Sequence, residues 1–224
     1  MPSLGRALSA LPLRGGARNT GEYWERRYAA GGDSGTGSFG ALAEFKAEFL
    51  NRFVAERGVG RVIEFGCGDG SQLILARYPE YIGLDVSASA VARCSERFAD
   101  DAAKSFYLYA PAAFCDTLGL FRSDLALSLD VVYHLVEDEV FELHLTHLFG
   151  SAERFVLIYS SDVDRLVSAH VRHRNFTPVI EARHPDWKLK ERIPNPLPKD
   201  EVGGLGSEAD LFVYERSPVD RDAE

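Results

Sequence analysis

The sequence predicts an α/β fold: a mostly parallel seven-stranded sheet, helices on both faces, and an antiparallel hairpin at the C-terminal end. Three observations carry this. The run Val62-Ile63-Glu64-Phe65-Gly66-Cys67-Gly68-Asp69-Gly70 describes a buried strand that turns sharply, since glycines let the backbone turn tightly and approach a ligand. A helix begun there would present free amides and a positive dipole end. Tyr81-Ile82-Gly83-Leu84-Asp85 is a second strand, and its acid follows Gly66 by 19 residues. That spacing suits a carboxylate offered to ribose hydroxyls. Finally, strand-like and helix-like segments alternate, which places helices against a parallel sheet.

The elements follow in order. Residues 1–20 read as a mobile arm, with no convincing signal-peptide core in the first 18. Residues 22–30 form a short helix bearing Tyr23, Trp24 and Tyr28. The loop 31–38 is rich in glycine and hydroxyls, and suits either a solvated linker or a lid. Leu42, Phe45, Phe49, Leu50 and Phe53 make an apolar stripe along a helix over 39–54. Strands are expected at Arg61–Phe65, 81–86, 105–110, 124–129 and 155–159. Helices are expected at 72–77, 88–98 and 137–149. Trp187–Ile193 and 210–215 make the final hairpin. One domain over 21–216 results, with a helical lid at 21–57, an acceptor-binding insertion at 162–186 and a tail at 217–224.

Composition narrows the function. The 224 residues carry 46% apolar side chains, enough for a real core. The net charge of -9 disfavours electrostatic capture of nucleic acid. Cys67, Cys94 and Cys115 show no metal spacing and read as free thiols of a reducing, cytoplasmic compartment. No apolar run approaches a membrane span. The N-terminal helices and the final hairpin are equally suited to covering the core or to forming a homodimer.

A dinucleotide fingerprint would need glycine at position 71, which is Ser71. The pattern Glu64-Phe65-Gly66-Cys67-Gly68-Asp69-Gly70 instead resembles motif I of class I S-adenosylmethionine (SAM) methyltransferases, and with it their Rossmann-like fold. SAM carries a sulfonium and an ammonium but no phosphate, so nearby carboxylates make electrostatic sense. The resemblance implies a cofactor site made by Glu64, Gly66 and Gly68, by Asp85, Val86 and Ser87, and by Phe114 near the adenine. Phe114 is as readily a core aromatic.

The acceptor should meet the methyl group beyond the fourth and fifth strands. An aliphatic hydroxyl needs a base or a metal to become nucleophilic. His134 lies four residues after Asp130, the end of the fourth strand, and suits proton transfer near neutral pH. Asp130 and Asp162 stand at the tips of adjacent strands. They resemble the acids that hold magnesium in metal-dependent small-molecule O-methyltransferases, which implies an Mg2+ site here. The family's amide ligand is replaced by Val163, so Asp164, His134 or His173 would have to substitute. Both acids also suit helix capping. Tyr133 and His173 are candidates to bind the acceptor.

Tyr-Trp-x-x-Arg-Tyr at 23–28, the 31–38 loop, motif I and Asp130-Val131-Val132-Tyr133-His134-Leu135-Val136-Glu137-Asp138 together resemble small bacterial methyltransferases of carbohydrate pathways. The methylmannose polysaccharide 1-O-methyltransferases of mycobacteria are of this kind. The likeness implies O-methylation of a sugar or oligosaccharide. The sequence lacks the Asn/Asp-Pro-Pro-Tyr/Phe motif common to nucleic-acid and protein amide N-methyltransferases. N- or C-methylation of another small metabolite, or SAM binding without chemistry, are the alternatives.

Overall fold

The computed structural model describes residues 19–199 and 206–218. Most of the predicted N-terminal arm and C-terminal tail lies outside them. Helix α1 (Thr20–Ala29) leads through the 31–38 loop to α2 (Gly40–Arg57). Strands β1 (Arg61–Phe65) and β2 (Glu80–Asp85) precede α3 (Ala88–Arg97). Then come β3 (Lys104–Leu108), β4 (Ser123–Leu129), α4 (Asp138–Ser151) and β5 (Ala152–Ser160). A small hairpin of β6 (Arg165–Ser168) and β7 (Val171–His173) follows, then α5 (Thr177–Arg183). Strands β8 (Trp187–Ile193) and β9 (Asp210–Arg216) close the fold.

The main sheet has seven strands in the order β3-β2-β1-β4-β5-β9-β8. The first five pair in parallel; β9 runs antiparallel to both β5 and β8. The expected architecture is therefore the observed one. Because β1 lies between β2 and β4, the chain leaves it in opposite directions. A crevice opens at the carboxyl ends of these strands.

Side chains alternate across a strand, and the core divides accordingly. Ile63, Phe65, Ala126, Val156 and Ile158 face α4 and α5, where Leu145, Leu148 and Ile180 meet them. Val62, Leu125, Leu127, Phe155 and Leu157 face α2, against Leu50, Phe53 and Val54. Both faces of the central strands are dry, which explains their unbroken apolar runs.

One expected element is missing. Residues 72–77 do not form an α-helix: a single 3-10 turn spans Leu73–Leu75, and Ala76 is extended. Pro79 disfavours helical backbone just before it, and β2 begins at Glu80. No helix dipole therefore points from the glycine turn. Its amides are satisfied locally: Gly68 N–H donates to Asp85 (2.9 Å), Asp69 N–H to Ser34 (3.1 Å) and Ser71 N–H to Asp69 (3.0 Å).

Gly66 has φ 93°, a conformation that costs other residues roughly 1–3 kcal/mol. A Cβ there would also collide with the Val131 side chain. Gly66→Ala should thus lower stability by about 2 kcal/mol or more. Urea unfolding checks this; an unchanged midpoint would contradict it.

Candidate active site

The crevice above β1 is a cavity of about 540 Å³, within the range of small-ligand sites. Glu64, Gly66, Gly68, Asp85 and Val86 line it, as expected of cofactor residues. So does His134. Ser87 and Phe114 do not. Ser87 is buried beneath and caps α3, its hydroxyl accepting the Ala90 N–H. Phe114 packs edge-on against Phe65 and Tyr109 in the core.

Helix α1 and its loop cover this cavity. Three contacts latch them down. Thr20 donates both its N–H (2.8 Å) and its hydroxyl (2.5 Å) to the Glu137 carboxylate. Glu25 accepts from the Ser87 hydroxyl (2.7 Å) and the Ser89 N–H (3.1 Å), at the start of α3. The Arg93 guanidinium donates to the carbonyls of Tyr28 and Gly32. Ser34 then reaches Asp69 (2.8 Å) and Tyr28 (3.0 Å), so the glycine-rich loop rests on the glycine turn. Trp24, Tyr28, Ser34 and Ser38 complete the wall.

The floor holds charge in unusual places. Glu64 is buried and accepts a hydrogen bond from the Tyr81 hydroxyl (2.6 Å). Burial pushes its carboxyl up to about 7, with Lys46 pulling the other way. Asp85 is raised to about 6, again by burial, against the Ser87 and Gly68 N–H bonds. Lys46 is only 1% exposed, ion-paired with Asp130 and 4.9 Å above the Tyr159 ring. Sequence reasoning missed it. Its signal was a lysine between Leu42 and Leu50 at helical spacing, on the buried side of α2.

The Asp130–Asp162 metal pair is not assembled, which corrects the sequence expectation. Asp130 adopts φ 60° and is held by Lys46 and the Tyr133 hydroxyl (2.7 Å). Asp162 caps α5, accepting from the N–H of Phe176 (2.8 Å) and Thr177 (3.1 Å) and from the Thr177 hydroxyl. Both carboxylates are spent on protein partners. Among the described residues, no group of three His, Cys, Asp or Glu is placed to hold a metal ion.

His134 sits in a 3-10 turn after β4, with Trp24 edge-on to its ring at 4.9 Å. Its Nδ1 lies 3.1 Å from the His170 carbonyl. A carbonyl only accepts, so the proton is on Nδ1 and Nε2 keeps a lone pair. Among the described residues Nε2 has no protein partner. Burial lowers the imidazole to about 4, so it is neutral at physiological pH. Tyr133 and His173 lie behind it, their rings 5.9 Å apart, off the cavity wall; His173 bonds Ser161. His144, on α4, lines the cavity and bonds Ser128 (2.9 Å).

The fold has counterparts among solved structures. The N-methyltransferase NodS from Bradyrhizobium japonicum WM9, with bound S-adenosyl-L-homocysteine (SAH), superposes with a TM-score of 0.65 at 19% identity. That match covers 90% of this chain and all of NodS. The class I methyltransferase fold is present. The methyltransferase domain of bacterial CtHen1-C matches at TM-score 0.60 and 18% identity, over 77% of this chain and 97% of that one. SAH-bound magnesium protoporphyrin IX methyltransferase of Synechocystis PCC 6803 matches at 0.57 and 14%, over 78% and 83%. No protein-family model matches the chain, and neither does the sequence of any curated protein. Among the described residues, no helix is long and apolar enough to cross a membrane.

The residues present fit SAM. Glu64 and Lys46 set opposite charges beside one cavity, which suits a zwitterionic amino-acid tail. Each Asp85 oxygen accepts one N–H, leaving lone pairs for hydroxyls. Leu108–Ala112, with Leu135, Val140 and Leu143, add mostly apolar side chains to the lining, which suits an adenine ring.

The raised Glu64 has a stability consequence. Between its ordinary 4.5 and about 7 the folded state holds a proton that the unfolded state has lost, so its contribution falls as pH rises. The stability advantage of Glu64→Gln over the parent should grow from pH 4.5 to 7, then level off. Urea titrations across that range check this; a pH-independent difference would contradict it.

Proposed function

We propose that this chain is a SAM-dependent O-methyltransferase acting on a hydroxyl of a sugar or oligosaccharide, with His134 as general base. One observation supports this above the others: a single cavity joins the Glu64–Gly68 turn and Asp85 to a neutral imidazole whose Nε2 has no partner among the described residues. When bound, SAM supplies an electrophilic methyl group on a cationic sulfur. Glu64 and Lys46 would hold its amino-acid tail, Asp85 its ribose, and the apolar part of the lining its adenine.

The protein's own part is alignment and proton transfer. Nε2 takes the hydroxyl proton as the acceptor oxygen becomes nucleophilic. Nδ1 keeps its own proton on the His170 carbonyl, so the ring does not rotate. Asp130 favours the cation that forms. The α1 cover walls one side of the cavity, and Trp24 offers an aromatic ring of the kind that packs on sugars. The motif likeness to mycobacterial sugar methyltransferases supports the acceptor class.

The test is methyl transfer from labelled SAM to short mannosides and other glycans. Transfer should survive EDTA, because Asp130 and Asp162 are engaged elsewhere. His134→Gln should lower kcat by roughly 10²–10⁴-fold, with SAH affinity unchanged by calorimetry. Transfer unaffected by that substitution would remove His134 as base. SAM binding without transfer to any glycan would remove the sugar acceptor and favour another small metabolite or a non-catalytic binder.

A further inference from the structure

The segment between β5 and α5 does not line the cavity with side chains, yet it grips the turn that carries His134. Arg174, just after β7, is 6% exposed in its side chain. Its guanidinium donates from Nε and Nη2 to the Leu135 carbonyl (3.0 and 2.8 Å) and from Nη2 to the Val136 carbonyl (2.8 Å). Nη1 pairs with Asp138, and the group lies 4.9 Å over the Phe141 ring. Two carbonyls immediately after His134 are thus anchored to β7. Four residues before Arg174, His170 supplies the carbonyl that meets His134 Nδ1. The β6–β7 turn thus meets the His134 ring through the His170 carbonyl, while Arg174, just beyond β7, holds the backbone that follows His134.

We propose that Arg174 is a positioning residue for His134: it docks the β6–β7 hairpin so that the His170 carbonyl selects the Nδ1–H tautomer and leaves Nε2 free. This rests on His134 being the base. An exposed imidazole favours the other tautomer slightly and samples both, and only the accepting carbonyl makes Nδ1–H the preferred state. A guanidinium is needed because its planar fork serves two carbonyls and a carboxylate at once. A lysine ammonium is a point charge and cannot match that geometry. Arg172, on the same hairpin, pairs with Asp138 (2.8 Å) and Asp164 (3.7 Å) but donates to neither carbonyl, which makes it the control.

The experiment reads the ring directly. Long-range proton–nitrogen NMR on the full chain distinguishes the two nitrogens of each of its six histidines, and His134→Gln assigns the His134 signals. The parent and Arg172→Met should both show His134 as one Nδ1–H tautomer. In Arg174→Met the His134 Nε2 shift should move toward that of a protonated nitrogen as both tautomers populate. Arg174→Lys keeps the charge beside Asp138 and guards against a variant that fails to fold; it should show the same shift. A pure Nδ1–H tautomer in a folded Arg174→Met or Arg174→Lys would overturn the proposal. Methyl transfer surviving His134→Gln would instead overturn the base assignment and leave the tautomer result standing, so the two failures are distinguishable.

Discussion

Asp85 ties the ends of two strands together: one oxygen accepts the Gly68 N–H and the other the Ser87 N–H. The amides of the turn after β1 are shared out: Gly66 and Cys67 donate to the Leu84 carbonyl and Gly70 to the Cys67 carbonyl, while side chains take those of Gly68, Asp69 and Ser71. Asp85 supplies one bond, Asp69 another, and Ser34 reaches in from the covering loop. Backbone carbonyls and side chains together therefore build the cavity floor. Ser87 passes the constraint outward, since its hydroxyl is held by Glu25 of α1. The cofactor turn, the second strand and the cover are one hydrogen-bonded unit.

This arrangement concentrates buried charge. Glu64 and Asp85 both sit where burial raises a carboxyl, and Asp130 adopts a backbone conformation unfavourable for a non-glycine residue. Lys46 and Asp130 offset one another; among the described residues Glu64 and Asp85 form no ion pair and are held by hydrogen bonds, from the Tyr81 hydroxyl and from two N–H groups. Buried carboxylates without an ion pair are a cost that folded proteins retain mainly at functional sites. Here they sit where a ligand carrying positive charge would relieve them.

Most of the fold was legible because its signals are local. Apolar runs broken by glycine mark β1 and β2, and two-sided burial explains why β4 and β5 lack polar alternation. The helix expected over 72–77 failed because Pro79 and the nearby start of β2 outweighed a short apolar segment. Five of the seven proposed cofactor residues line the cavity, since a strand end presents its neighbours to the crevice whatever else surrounds them. The two acids at the tips of β4 and β5 read as a pair from their strand-end positions and from the likeness to metal-dependent O-methyltransferases. Their carboxylates turned away, Asp130 to Lys46 and Asp162 to the start of α5.

The residue order alone settles the alternation of strands and helices, the glycine turn, the acid after β2 and the presence of a histidine beyond β4. Those depend on neighbours a few residues apart. Three-dimensional packing decided the rest. Lys46 meets Asp130 across 84 residues, Thr20 meets Glu137 across 117, and Arg174 meets Leu135 across 39. Hydrogen bonds and ion pairs have ranges of a few ångströms and no memory of chain separation, so no local pattern announces which partners they will find. The tautomer of His134 belongs to this second class, because the carbonyl that sets it comes from a distant hairpin.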